Sequence, residues 1–111
     1  MNTNGKMAED HSELLKKYLF LQRLTRLCCV EHMWLFGSRA RNDHQERADI
    51  DIAIDCPKAT DAEWFEILDI VEDADTLLSI DCVRFDSLDR GSPLRQAIEH
   101  EGVLLYGRCE N

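Results

Sequence analysis

A stretch of strict alternation between polar and apolar residues is the feature that most limits how this chain can fold. From Ala48 to Asp55 the odd positions hold Asp49, Asp51, Ala53 and Asp55, and the even positions between them hold isoleucines. Successive side chains of an extended strand point to opposite faces, so this period of two predicts a β-strand with one apolar and one mainly acidic face.

Helical and extended patterns alternate along the rest of the chain. We predict helices over residues 10–27, after a capping box at Thr60-x-x-Glu63, and from Ser92-Pro93 to about residue 100, with one helical turn over 38–42. The predicted strands are 31–36, 48–55, 77–85 and 103–106. This order of elements predicts an α/β domain in which helices pack on a sheet.

Length and composition fit one globular domain. The chain has 111 residues, of which 44% are hydrophobic and 32% are charged. We expect residues 1–9 to form a flexible tail and residues 10–111 to form the single domain. No apolar run approaches the roughly 20 residues that a membrane helix needs. The N-terminus does not resemble a signal peptide, and five cysteines without a C-x-x-C pair are typical of reduced thiols. We therefore expect a cytoplasmic protein with no membrane partner.

Negative charge is concentrated in the second part of the chain. The formal net charge is −9, and residues 49–111 carry 16 acidic and 5 basic side chains. Because an acidic surface repels a phosphate backbone, we expect no stable binding to duplex DNA or RNA. Metal cations and basic protein partners are compatible with this surface.

The residues that indicate chemistry surround the acidic strand. Gly37-Ser38 follows a predicted strand, and glycine permits a tight turn and a close approach to the backbone. Amide groups at the start of the next helical turn attract phosphate oxygens, and Arg39 and Arg41 add positive charge nearby. Ten residues after Ser38, Asp49 and Asp51 lie on one face of one strand, where two carboxylates can bind a hard cation.

Asp81 is a lone acidic residue in an otherwise apolar predicted strand. A carboxylate in such a strand needs a partner or an exposed face. If this strand pairs beside residues 48–55, Asp81 joins Asp49 and Asp51 at one point. A phosphate-binding turn beside three carboxylates is what nucleotidyl transfer needs, because two divalent ions can bridge the carboxylates and a triphosphate.

Together these residues resemble a known family. Gly37-Ser38, ten residues and Asp49-Ile50-Asp51 match the G-S-x10-D-x-D signature of the DNA polymerase beta-like nucleotidyltransferase superfamily. The segments F-G-S-R-A-R and D-I-D-I-A-I resemble its smallest branch, the minimal nucleotidyltransferases (MNT), and the resemblance extends over residues 10–107. It implies an α/β (α+β) fold with a mixed sheet of about four strands flanked by helices. It also implies divalent metal, two Mg²⁺ or Mn²⁺ ions, and ATP or another NTP as the donor.

The resemblance assigns roles to individual residues by their match to the motif. The metal-binding, catalytic carboxylates are Asp49, Asp51 and Asp81. The residues that bind the nucleotide phosphates are Gly37, Ser38, Arg39 and Arg41. Two positions depart from the usual pattern, since Asn42 stands where relatives often have glycine and Ala48 where they often have serine. Neither departure removes a metal ligand.

The function implied by the resemblance is transfer of a nucleoside monophosphate, AMP from ATP, to a hydroxyl acceptor. Members of the MNT branch commonly pair with a helical HEPN-type protein. In several pairs the small protein is the antitoxin and attaches AMP to a tyrosine of the toxin. We therefore expect a hetero-oligomer in which the acceptor is on, or is held by, such a partner.

The same residues also fit simpler surface interpretations. Asp49, Asp51 and Asp55 match the solvated face of a half-buried strand, and Asp55 is expected to be solvated rather than a ligand. Arg39 and Arg41 match ordinary surface charges.

Other functions remain open at the level of sequence. The chain is compatible with a non-catalytic module that neutralises or regulates a partner protein by contact. A simple divalent-cation site ranks last, because it does not account for Gly37-Ser38. A separate metal hypothesis places Cys28 and His32 on one helix face, and otherwise His32 carries no functional signal.

Overall fold

Helices and strands follow one another in the predicted order. The computed structural model describes residues 13–41 and 49–107. The helices are α1 (Leu19–Thr25), α2 (Ser38–Arg41), α3 (Asp61–Glu72) and α4 (Pro93–Glu101), and residues 13–17 are also helical. The strands are β1 (His32–Phe36), β2 (Ile50–Asp55), β3 (Ile80–Arg84) and β4 (Val103–Gly107), and a 3₁₀ turn, Phe85–Ser87, follows β3. The expected N-terminal tail and the positions of Asn42 and Ala48 lie outside the described residues.

The four strands form one mixed sheet in the order β3-β2-β1-β4. β1 is antiparallel to both β2 and β4, whereas β2 is parallel to β3. A parallel pair needs a crossover connection, and α3 supplies it between β2 and β3. The mixed α/β fold with about four strands is therefore confirmed.

Apolar side chains fill both faces of this sheet. On one face the fully buried Ile50, Ile52 and Ile54 pack in a cluster with residues of α1 and α3. On the other face Ala53 packs in a smaller cluster with Ile98 of α4. The alternation read from the sequence is thus the alternation between a fully buried face and a partly covered one. Across the described ranges, no helix has the length and apolar character needed to cross a membrane.

The predicted N-terminal helix is interrupted at Tyr18 and ends earlier than predicted. Tyr18 is extended at φ −112° and ψ 123°, and α1 starts after it and ends at Thr25. The Asp75 carboxylate accepts hydrogen bonds from the amides of Leu19 and Phe20 at 3.0 and 3.1 Å. A distant residue therefore caps this helix, and no local sequence pattern could have predicted its start.

Two further expectations are corrected. Because α1 ends before Cys28 and His32 opens β1, these two residues do not share a helix face, and that metal hypothesis is wrong. β3 begins at Ile80 rather than at residue 77. The preceding segment is held as a turn, in which Thr76 Oγ1 accepts a hydrogen bond from the Leu78 amide at 3.1 Å.

The predicted helix starts of α3 and α4 are confirmed. Thr60 Oγ1 accepts from the Glu63 amide at 3.1 Å, and Glu63 Oε1 accepts from the Thr60 amide at 2.9 Å, which completes a capping box. Ser92 caps α4 by accepting from the Arg95 amide at 3.0 Å, with Pro93 in the first turn.

An ion pair holds the carboxyl ends of β2 and β3 together. Arg84 Nε donates to Asp86 Oδ2 at 3.0 Å, and Asp86 Oδ1 accepts from the Cys56 amide at 2.8 Å. Arg84 also donates to the carbonyls of Cys56 and Ala59 at 2.9 and 3.1 Å. Both charged side chains are less than one-fifth exposed, at 19% and 17%. These bonds therefore fix where β2 ends relative to β3.

We predict that Asp86→Ala lowers the free energy of unfolding by about 2–3 kcal/mol, because it removes charged hydrogen bonds and leaves Arg84 half-buried without its carboxylate. Urea denaturation measures the change. The matched control is Asp73→Ala, which breaks a 3.2 Å pair with Arg23 whose carboxylate side chain is 80% exposed. That loss should be at most about 1 kcal/mol, and equal losses in the two variants would contradict the assignment.

Candidate functional site

The register of the parallel strands brings two of the predicted carboxylates together. Asp51 of β2 is paired with Asp81 of β3. Paired residues on neighbouring strands are about 4.8 Å apart and project to the same face. The strand pairing on which the convergence of Asp81 depended is therefore present, while metal binding by these carboxylates remains a prediction.

Charges surround the Asp51 carboxyl on this face. Burial raises the pKa of Asp51 most, the negative charges of Asp81 and Asp49 raise it further, and the positive charge of Arg39 opposes them. Asp51 is half-buried, whereas Asp49 and Asp81 are exposed. Like charges gathered in this way repel one another, and a bound cation relieves that repulsion.

Gly37 lies directly against the Asp51 carboxyl. Its φ is +76°, a conformation that glycine adopts without strain. A Cβ atom added at this position would collide with Asp51 Oδ2. The two strands impose this proximity, since Phe36 is paired with Asp51 across β1 and β2. The backbone conformation thus favours glycine here, and any larger residue would have to displace the Asp51 carboxyl.

The residues after Gly37 form a tight turn. The amides of Ala40 and Arg41 both donate to the Gly37 carbonyl, at 3.1 and 3.2 Å. Ser38 opens α2 and is half-buried. Arg39 Nε donates to the backbone carbonyl of Asp49 at 3.3 Å, which brings its charge to the carboxylates.

Arg41 differs from Arg39 in its surroundings. Its guanidinium forms an ion pair with Glu101 of α4 at 3.5 Å, and both side chains are about half exposed, at 48% and 51%. The structure therefore brings Arg39 to the carboxylates and pairs Arg41 with α4.

The donor set of Asp49, Asp51 and Asp81 suits a hard divalent cation such as Mg²⁺ or Mn²⁺, because all three ligands are carboxylates. Within residues 13–41 and 49–107, these three do not form a group whose ligand atoms all lie within 4.8 Å of one another. In ligand type, the residues fit the metal that the resemblance implies.

A groove adjoins Asp49 on the side of β3. It has a volume of about 360 Å³ and is lined by Asp49, Leu77, Leu78 and Ser79. Leu77 is fully exposed at its mouth. Sequence reasoning missed this groove because it placed residues 77–79 inside a strand, and no motif in the sequence indicated it.

A second polar group lies at the other end of β2. His32 Nδ1 is 3.1 Å from Asp55 Oδ2, and only 19% of the Asp55 side chain is exposed. The expectation that Asp55 is merely solvated is therefore wrong. His32 and Asp55 are paired across β1 and β2, and a single sequence does not reveal this register.

Trp34 connects this end of the sheet to the core. Its ring packs against Phe85 at a centroid distance of 4.6 Å and stacks on His32 at 5.6 Å. Trp34 is therefore partly buried and packs against the smaller core cluster.

Comparison with known proteins gives one family and one fold. Residues 9–111 match the family model described as "Polymerase beta, Nucleotidyltransferase". No curated protein sequence gives a significant match. Among solved structures, the chain is similar to a "toxin-antitoxin with AMP-PNP", with 22% identity, a TM-score of 0.58 and coverage of 88% of this chain and 73% of that chain.

A second solved structure, "the toxin-antitoxin MntA-HepT", is 21% identical with a TM-score of 0.55, over 89% of this chain and 72% of that chain. At these identities the likeness shows a shared fold. The family match spans the Gly37-Ser38 turn, the Asp49-Ile50-Asp51 segment and the strand that holds Asp81. The chain therefore belongs to the polymerase beta nucleotidyltransferase family.

Proposed function

We propose that this protein transfers a nucleoside monophosphate, AMP from ATP, to a hydroxyl group in a reaction that depends on divalent cations. The observation that carries the proposal is the parallel pairing of Asp51 with Asp81 beside the Gly37 turn. It joins a set of metal-binding carboxylates to a backbone that a phosphate group can approach closely.

In this proposal Asp49, Asp51 and Asp81 hold two Mg²⁺ or Mn²⁺ ions. When bound, such ions neutralise charge on the triphosphate and the departing pyrophosphate and polarise the attacking hydroxyl. The carboxylates contribute mainly by position, because strand pairing holds Asp51 and Asp81 in place before substrate arrives.

Gly37, Ser38 and the two arginines hold the phosphates. The absence of a side chain at Gly37 leaves room beside the Asp51 carboxyl, and the Ser38 hydroxyl can donate a hydrogen bond. Arg39 supplies positive charge next to the carboxylates. Arg41 can release Glu101 and bind a phosphate with little loss of free energy, because an exposed ion pair contributes only about 0–1 kcal/mol.

The acceptor is a hydroxyl of a helical, HEPN-type partner protein, or of a molecule that such a partner holds. Two observations support this choice. The fold is shared with toxin–antitoxin structures. The groove beside Asp49 opens next to the carboxylates and carries an exposed Leu77, so an acceptor segment can reach them.

A second candidate function is neutralisation of the partner by contact, without chemistry. The outer face of α3 supports it, because Phe65 is 63% exposed there and the neighbouring Glu66 and Asp69 are also exposed. An apolar side chain among acidic residues is compatible with a basic partner surface.

We predict that Asp49→Asn/Asp51→Asn abolishes transfer, because neutral amides bind divalent ions far more weakly than carboxylates do. The helical partner is incubated with this protein, ATP and Mg²⁺, and its intact mass is measured. The wild-type protein should add one or more AMP units. Asp89→Asn, the same type of substitution at an exposed position, should leave the addition intact.

One outcome would contradict the catalytic proposal, and another would support the second candidate function. Equal AMP addition by the double variant would exclude these aspartates as the catalytic groups. A double variant that adds no AMP but still protects cells from the partner as well as wild type would establish neutralisation by contact.

We predict that Asp81→Asn raises the Mg²⁺ concentration for half-maximal transfer by about tenfold or more, since it removes one charged ligand. Activity is measured over a Mg²⁺ series after treatment with EDTA. EDTA alone should abolish transfer, and Mg²⁺ or Mn²⁺ should restore it. An unchanged Mg²⁺ requirement in the variant would remove Asp81 from the ligand set.

We predict that Gly37→Ala lowers transfer at least about tenfold and destabilises the fold by roughly 1–2 kcal/mol, because alanine is strained at positive φ and its Cβ displaces the Asp51 carboxyl. Rates and urea denaturation measure the two effects. Gly91→Ala is the matched control, since a Cβ there meets nothing within 4 Å. Normal activity of Gly37→Ala would show that the close contact with Asp51 is not needed.

A further inference from the structure

We propose that Glu31, His32 and Asp55 form a second metal site, which binds a transition-metal ion of the Zn²⁺ type. One ligand atom from each residue lies within 4.8 Å of the other two. The group lies where β1 begins and β2 ends, and all three residues are half-buried.

The spacing of two of these atoms already matches zinc coordination. Zinc binds imidazole nitrogen and carboxylate oxygen at about 2.0–2.1 Å, so two such ligands at a tetrahedral angle lie about 3.3 Å apart. His32 Nδ1 and Asp55 Oδ2 are 3.1 Å apart. In the tautomer that carries hydrogen on Nδ1, His32 donates a hydrogen bond to Asp55 at this distance, and a metal ion can take the place of that hydrogen.

The backbone holds the three donors in place. His32 and Asp55 are paired across β1 and β2, and the Glu31 amide donates to the Asp55 carbonyl at 2.9 Å. The His32 ring stacks on Trp34 with an interplanar angle of 18°. A site built on paired strands loses little conformational freedom when it binds an ion.

The donor chemistry differs from that of the proposed catalytic carboxylates. Glu31, His32 and Asp55 combine one imidazole with two carboxylates, a set that suits zinc and related metals. Asp49, Asp51 and Asp81 provide oxygen alone, which suits Mg²⁺. The two groups therefore select different ions.

The two groups are also separated in space. Asp55 follows Asp51 by four residues on the same strand, a rise of about 13 Å. An ion at Asp55 is therefore not one of the ions that serve transfer, and this inference stands whether or not the proposed transfer activity is correct. Its consequence is structural, because one ion would cross-link β1 to β2 and stabilise the folded state.

The test is a Zn²⁺ titration of the whole chain in competition with a chromophoric chelator, with excess Mg²⁺ and a reductant that contains no thiol. Wild type should bind one equivalent with an affinity that His32→Gln weakens at least about tenfold. Glu31→Gln is a second, milder variant and should also weaken binding. His100→Gln is the matched control, an exposed histidine on α4 that should bind as wild type does.

A spectroscopic measurement tests whether a cysteine thiolate binds the ion. Co²⁺ replaces Zn²⁺ as the probe, and its absorption shows near-ultraviolet charge-transfer bands when thiolates coordinate it. Visible bands without those charge-transfer bands support the proposed site, and so does a rise of the melting temperature with Zn²⁺ that His32→Gln removes. No binding by wild type, unchanged binding by both variants, or thiolate bands would each overturn it.

Discussion

The register between β2 and its parallel neighbour β3 is the constraint on which the rest of the structure depends. It sets Asp51 beside Asp81, and it is held at one end by the Arg84–Asp86 pair with its bonds to Cys56. The buried isoleucines of β2 make slippage costly, since a shift of one residue would turn them away from the core and bring aspartates into it. The same burial that stabilises the sheet therefore positions the carboxylates.

Repulsion between the like-charged carboxylates destabilises the folded state. Several features of the site reduce this repulsion. Asp49 and Asp81 are exposed, so water screens them, and only Asp51 is half-buried. Burial and the charges of Asp81 and Asp49 raise the pKa of Asp51, and the positive charge of Arg39 opposes that rise. The carboxylates beside Gly37 therefore keep a net negative charge, which a divalent ion that carries a nucleotide can neutralise.

β2 carries polar groups at both ends and apolar residues between them. At its start the carboxylates offer oxygen ligands alone, whereas at its end Asp55 meets an imidazole, that of His32. The buried Ala53 and the aromatic packing of Trp34 separate the two ends. One strand can therefore present two different groups of polar side chains, because its antiparallel and parallel neighbours bring different residues to its two ends.

Local patterns in the sequence determined the elements and the residues of the candidate site. A single sequence reveals features that depend on residues close together in the chain. These are the period of two over Ala48–Asp55, the capping box at Thr60 and the Gly37-Ser38 turn. Tertiary structure alone decided that Asp75 caps α1 and that His32 meets Asp55. These contacts join residues far apart in the chain, and their partners are set by how strands pair and helices pack.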